Sequence, residues 1–214
     1  MVVPKSTKPG PRDDRGVLAR RILDAARESF AENGWAGTSI RAVARAADVD
    51  PALIYHYYGS KQALLEACTT PPPGWLARMA ATWATPREEL GARLVTDTLE
   101  NWSNPEYAPT IRSILLIAAH DASTRAKLRG LVQNSLMGPA ASQLEEEERL
   151  VRAGLIASQL LGLGFMRYIW LVEPIASMTD AEVIAAVAPT VQRYIDADLG
   201  DTRPTAHPAT PRPS

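Results

Sequence analysis

The chain has 214 residues, 46% of them hydrophobic and 22% charged, enough for one large core or two small ones and too apolar for a disordered chain. A formal net charge of −1 excludes the uniformly basic surface of an architectural nucleic-acid binder. A single cysteine, Cys68, excludes an intrachain disulfide and fits a reducing, cytoplasmic setting.

Residues 1–14 carry Pro, Gly and the cations Lys5, Lys8 and Arg12 and read as a disordered basic arm without the apolar core of a secretory signal. The first helix is expected over about 15–33, with Leu18, Ile22, Ala26 and Phe30 recurring every four residues as one apolar stripe. Asn33-Gly34 ends it, since both residues tolerate positive φ. Thr38 or Ser39 can cap a second, short helix that reaches Ala46 with Ile40, Val43 and Ala44 inward. After the turn "AADV", Asp50 is an N-cap and Pro51 stands at a first helical position, where its missing N–H costs nothing. That third helix spans about 51–57, Gly59 stops it, and Ser60 caps a fourth at 60–68.

"TTPPPG" at 69–74 reads as a linker. Beyond it helices are expected near 75–84, 86–102, 107–120, 122–136, 145–171 and 179–198, with Pro189 kinking or splitting the last. No stretch alternates with period two, so the fold class is all-α. The longest apolar stretch, "GLIASQLLGLGFMRYIWLV", contains Arg167. A mid-span Arg costs about 2.5–3.5 kcal/mol, so no membrane span is expected. Residues 201–214 carry four prolines and read as a disordered tail.

Two short helices after a longer one, joined by a tight turn, are the parts of a helix-turn-helix. The stretch "TSIRAVARAADVDPALIYHYYGSKQALL" also resembles the N-terminal DNA-binding domain of the tetracycline-repressor-type (TetR) family of bacterial regulators. Gly34, Thr38, Ile40, Val43, Ala44, Ala47, Val49, Leu53, Ile54, Tyr55, Tyr57, Lys61, Leu64 and Leu65 carry that resemblance. Tyr58 stands where the family usually has Phe, and Trp35 where Tyr or Phe is commoner. The resemblance implies a helix-turn-helix domain over 15–59 and a helical ligand-binding and dimerisation bundle over 60–200, with helix 60–68 as connector.

The segment "YHYY" at 55–58 holds more rings than one short helix can bury. Val49, Leu53, Ile54 and Tyr58 suffice for its inner side, which leaves Tyr55, His56 and Tyr57 toward the groove or its rim. Pro51 and Ala52 begin this helix, where side chains reach base edges. Thr38 and Ser39 are expected to offer hydroxyls and free N–H groups to a phosphate. Arg41 shares a helix face with Arg45. Lys61 opens the fourth helix, where a cation opposes the dipole and calls for an anion such as a DNA phosphate.

On the helix at 145–171 the residues Glu145, Glu148, Arg152, Gln159 and Arg167 share about a quarter of the circumference, and nearly everything else is apolar or small. So wide an apolar surface exceeds what one monomer core covers. Gly154, Ala157, Ser158, Leu161, Gly162 and Phe165 are the expected homodimer contacts, in a four-helix interface with the last helix, as the resemblance also implies. The resemblance further implies a pocket for a small apolar or amphipathic effector, with Trp83, Trp102, His120, Met137, Gln159, Phe165, Met166, Arg167 and Trp170 as candidates. The expected function is a repressor that binds a palindromic operator in double-stranded DNA and is released by its effector; an activator of the same fold is the alternative. No HExxH, CxxC, GxSxG or Walker pattern occurs, so the expectation is no enzyme, with no catalytic residue, cofactor or metal. A helical-bundle enzyme is the remaining alternative.

Overall fold

A computed structural model describes residues 11–135, 146–197 and 199. The described residues form helices and no strand. They divide into two compact units. One holds the chain to Pro72 together with Pro105–Leu128, and the other holds Pro73–Asn104 and the chain from Arg129.

In the first unit α1 runs Pro11–Gly37, α2 Ile40–Ala46, α3 Pro51–Tyr58, α4 Lys61–Thr69 and α7 Ala108–His120. Helix α1 begins inside the stretch expected to be a disordered arm. Pro11 suits a first helical position. At Gly34 the backbone leaves helical geometry, φ 62 and ψ −171, and the chain turns there as Asn33-Gly34 foretold. The caps follow the sequence. Ser39 accepts from the Ala42 N–H at 3.1 Å, Asp50 from Ala52 at 2.7 Å and Ser60 from Ala63 at 3.0 Å. Ile22, Ala26, Phe30, Val43, Ile54 and Leu64 are buried together, and Ile117 of α7 joins them. The expected boundary at residue 60 is therefore not where the units part. Helix α4 buries Leu64, Leu65 and Cys68 in this core, and α7 rejoins it from later in the chain because its apolar side fits against α1.

The second unit contains α5 (Trp75–Thr82), a 3₁₀ turn at Arg87–Glu89, α6 (Leu90–Ser103), α9 (Glu146–Gly164) with a π turn at Phe165–Ile169, and α10 (Asp180–Asp196); α8 is Ala122–Ser135. Trp83, Leu90, Leu94, Val95, Leu99, Ile156, Leu160, Val183, Val191 and Ile195 form its core. Helix α10 is not split at Pro189. Pro189 and Ala185 are both exposed, so water can serve the Ala185 carbonyl that loses its partner.

Two glycines permit close helix contacts here. A Cβ on Gly91 would lie 2.8 Å from Gln192, whose side-chain oxygen accepts from the Gly91 N–H at 2.7 Å. A Cβ on Gly164 would lie 2.6 Å from Trp102 Nε1, and that indole stacks on Tyr168 at 5.3 Å between centroids. Gly164→Ala is therefore expected to destabilise the chain by about 1–3 kcal/mol, the usual cost of overpacking; urea unfolding measures it.

Candidate nucleic-acid interface

Helix α3 owes its placement to the turn before it. Ala47 caps α2, Asp48 adopts φ 52, and the Val49 N–H donates to the Ala44 carbonyl at 2.9 Å. Asp48 can take this left-handed conformation because aspartate tolerates it better than most residues. The turn swings α3 across α2. Its inner anchor is Ile54, 1% exposed, flanked by partly buried Val49, Tyr57 and Tyr58.

The rings then divide. Tyr55 is 53% exposed and His56 is exposed, with its imidazole edge-on to Tyr57 at 5.6 Å between centroids. Tyr57 is half-buried against the core, so it stands at the rim rather than fully outward. Tyr58 faces in, and its hydroxyl donates to the Ala19 carbonyl at 2.8 Å. Burial, aided by the nearby Cys68, pushes the Tyr58 phenol up to about 12, so it remains a donor throughout the physiological range. Ala52 is exposed and Pro51 half-buried at the leading end of α3.

Arg41 and Arg45 project from α2 into solvent, and neither has a hydrogen bond or ion pair among the described residues. Ser39 is exposed beside them. Its oxygen caps α2, which leaves its O–H able to donate.

One expectation needs correction. Thr38 is 2% exposed. Its hydroxyl lies 2.8 Å from the Gly34 carbonyl and 2.9 Å from that of Ser29, so it closes the α1–α2 corner and is not available to a phosphate. Lys61 has a protein contact that leaves two ammonium protons for a phosphate. Its ammonium donates to the Trp35 carbonyl and sits 4.3 Å above the centroid of the Trp35 ring, which offers a negative π face. Trp35 in turn stacks on Phe30, 6.1 Å between centroids.

The expected effector residues scatter. His120 is exposed at the end of α7 and belongs to the first unit, not the C-terminal bundle. Trp83 and Trp102 are buried in the second unit, Gln159 and Phe165 are half-buried, and Met166 is exposed. Trp170 is 61% exposed and touches Phe165 at 5.4 Å between centroids; an indole so open encloses nothing. Arg167 is already engaged, donating to the Ile175 carbonyl at 2.7 Å and pairing with Asp180 at 3.0 Å. Met137 lies outside the described residues. Among the described residues, buried polar atoms that lack a partner occur instead at Trp75 Nε1, Asn101 Oδ1 and the Tyr168 hydroxyl, among others. Nothing in the local pattern marked Trp75 on α5 or Asn101 on α6.

On α9 the polar stripe turns inward. Arg152 is 5% exposed, pairs with Glu148 at 2.6 Å and donates to the carbonyls of Tyr194 at 2.7 Å and Ala197 at 2.9 Å. The side left to solvent carries Leu150, Gly154 and Ser158, with Leu161, Gly162 and Phe165 half-buried at its margin. A Cβ at Gly154 or Gly162 would meet nothing within 4 Å. Ala157, an expected dimer contact, is buried in its own unit, because it lies on the arc of α9 that also buries Ala153 and Leu160.

Among the described residues no helix is long and apolar enough to cross a membrane. Residues 22–68 match the family model described as bacterial regulatory proteins, tetR family, and residues 88–195 match that described as tetracyclin repressor-like, C-terminal domain. Among curated relatives, the HTH-type transcriptional regulator UidR of Escherichia coli strain K12 is 45% identical over 47 residues, 22% of this chain and 24% of UidR. The HTH-type transcriptional regulator BetI of Rhizobium meliloti strain 1021 is 31% identical over 121 residues, 48% of this chain and 59% of BetI. The chain thus spans under two thirds of either relative. A crystal structure of a TetR-family regulator from Streptomyces coelicolor A3 has a TM-score of 0.54 at 28% identity, covering 88% of this chain and 99% of that one. Salmonella enterica GusR, TM-score 0.54 at 22% identity, covers 88% of this chain and 100% of its own and shares the fold. With both parts of the chain matched and the helix-turn-helix in place, the chain belongs to the TetR family of DNA-binding transcriptional regulators.

Proposed function

We propose that the chain is a cytoplasmic, effector-responsive repressor that binds a palindromic operator as a homodimer. The observation that carries this reading is the outward rim of α3, Ala52, Tyr55 and His56, beside the unpaired guanidinium groups of Arg41 and Arg45. Phenol and imidazole reach bases and sugars, while Arg41, Arg45 and Ser39 hold phosphates and set register. One short recognition helix makes few contacts, and a two-fold pair supplies the rest through half-sites about 34 Å apart or a multiple. The solvent face of α9, small and uncharged from Leu150 to Phe165, supports self-association. Aromatic side chains in the second unit, with the partnerless polar atoms of Trp75, Asn101 and Tyr168, support a small amphipathic effector. Such a ligand releases DNA only through unequal affinity for two conformations.

Selection from a random duplex pool with the full chain tests the proposal. A palindromic consensus bound by two chains is the expected result, and an asymmetric site bound by one chain would contradict it. Arg41→Ala and Arg45→Ala are each expected to lower the slope of log K against log salt by about 0.9 per head, as read by fluorescence anisotropy across a salt series.

A further inference from the structure

Helix α3 has eight residues and one fully buried side chain, Ile54. A single apolar anchor resists lifting of the helix far better than it resists pivoting, because burial is non-directional. Two directional contacts act where the anchor does not. At the leading end, Arg21 of α1 donates from Nη2 to the carbonyl oxygen of Asp48 at 2.9 Å. Asp48 is the positive-φ residue of the turn and stands just ahead of Pro51. At the trailing end, Tyr58 is the last residue of α3 and donates its hydroxyl proton to the Ala19 carbonyl at 2.8 Å. Both contacts come from the same stretch of α1, residues 19 and 21, so α3 is tied at each end to one rigid element.

We infer that Arg21 and Tyr58 are positioning residues that fix the angle of α3 and thereby set discrimination between operator and unrelated DNA. The inference rests on the operator-binding reading. Neither side chain needs to touch DNA for this role. Tyr58 faces inward, and Arg21 Nη2 is engaged by a protein carbonyl. Phosphate contacts govern binding to any duplex, whereas base contacts need the right angle. Loss of a tie therefore weakens operator binding selectively.

The test uses the full chain with Arg21→Leu, Arg21→Lys and Tyr58→Phe, the selected operator, an unrelated duplex of equal length, and a salt series. Operator affinity is expected to fall about 3-fold for Arg21→Leu and about 5- to 10-fold for Tyr58→Phe, in keeping with one exposed and one part-buried hydrogen bond. Affinity for unrelated DNA and the salt slope stay at their wild-type values, and Arg21→Lys recovers most of the loss. An equal loss on both duplexes with a slope lowered by about 0.9 would make Arg21 a direct phosphate contact and overturn the inference. Amide exchange without DNA separates this inference from the operator reading. The α3 amides are expected to exchange about 3- to 10-fold faster in Arg21→Leu and Tyr58→Phe while those of α4 do not change. Unchanged α3 exchange overturns the inference whatever the DNA result. Faster exchange in a protein that selects no operator would sink the functional reading while keeping the two ties.

Discussion

Arg152→Ala is expected to remove about 2–3 kcal/mol from the stability of the second unit, with Arg152→Lys recovering less than half. The side chain is 5% exposed and closes the C-terminal end of α10, where the last carbonyls of a helix have no partner of their own. Its Nη1 reaches the Tyr194 and Ile195 carbonyls at 2.7 and 3.4 Å, and its Nη2 reaches Ala197 at 2.9 Å and Glu148 at 2.6 Å. Truncation strands those acceptors, each worth about 1–3 kcal/mol if fully dry, and water entering the vacated space recovers part of that. Glu148 adds little to the loss, because its side chain is 41% exposed and water solvates the stranded charge. Lysine supplies the charge but not the planar fork that serves several carbonyls at once. Urea unfolding followed at the far-ultraviolet helix signal decides it; a loss below about 0.5 kcal/mol would show the network to be solvated.

The same network has a pH signature. Burial opposes ionisation of Asp196, but hydrogen bonds from Gln192 and Arg87, with the charges of Arg87 and Arg152, hold its carboxyl below the ordinary value of 3.8. A depressed folded value means stability that is fully present above the unfolded value and is lost as pH falls through the folded one. The wild-type chain should therefore lose this contribution as pH falls below 3.8 toward the lower folded value, and Arg152→Ala, whose folded value lies nearer 3.8, should have less of it to lose.

Much of this architecture could be read from residue patterns. Ser39, Asp50 and Ser60 announced α2, α3 and α4, because an N-cap is a local event settled within three residues. The apolar stripe of α1, the inward place of Tyr58 and the outward places of Tyr55 and His56 followed from counting what a short helix can bury, whereas Tyr57, expected outward or at the rim, is half-buried. The failures share one cause. Thr38 was read from its own helix, yet its hydroxyl is satisfied by the Gly34 and Ser29 carbonyls of α1; Arg152, read only as part of a polar stripe, is likewise engaged by the Tyr194 and Ala197 carbonyls. A side chain with a long reach takes its role from whatever the tertiary fold brings near, and no local period records that. His120 failed similarly, because its helix joins the first unit from a distant part of the chain. A common design emerges from these long-range contacts. Helix α3 is tied at both ends to α1 by Arg21 and Tyr58. Helix α10 is tied at its C-terminal end by Arg152 and at its start by Arg167 through Asp180. Hydrophobic burial brings the helices together in each unit, and guanidinium forks and one phenol fix their directions.

Ala52→Glu is expected to lower operator affinity by about 100-fold, equivalent to about 2.7 kcal/mol, while leaving the fold intact. Ala52 is exposed in the first turn of α3, and its N–H is already capped by Asp50 at 2.7 Å. A carboxylate there interacts favourably with the positive end of the helix dipole, so the isolated protein should melt no earlier than wild type. Against DNA the same carboxylate enters the field of the phosphates, and a like-charge approach costs several kcal/mol when it is desolvated in an interface. Ala52→Gln separates charge from size, since it keeps the bulk of Glu and supplies both a donor and an acceptor to base edges; its loss should stay within about 10-fold, or 1.4 kcal/mol. Anisotropy titrations against the selected operator, with circular-dichroism melts of the same samples, distinguish the outcomes. If Ala52→Glu binds as tightly as wild type, the leading end of α3 does not face the duplex, and the reading of Tyr55 and His56 as groove-facing groups falls with it.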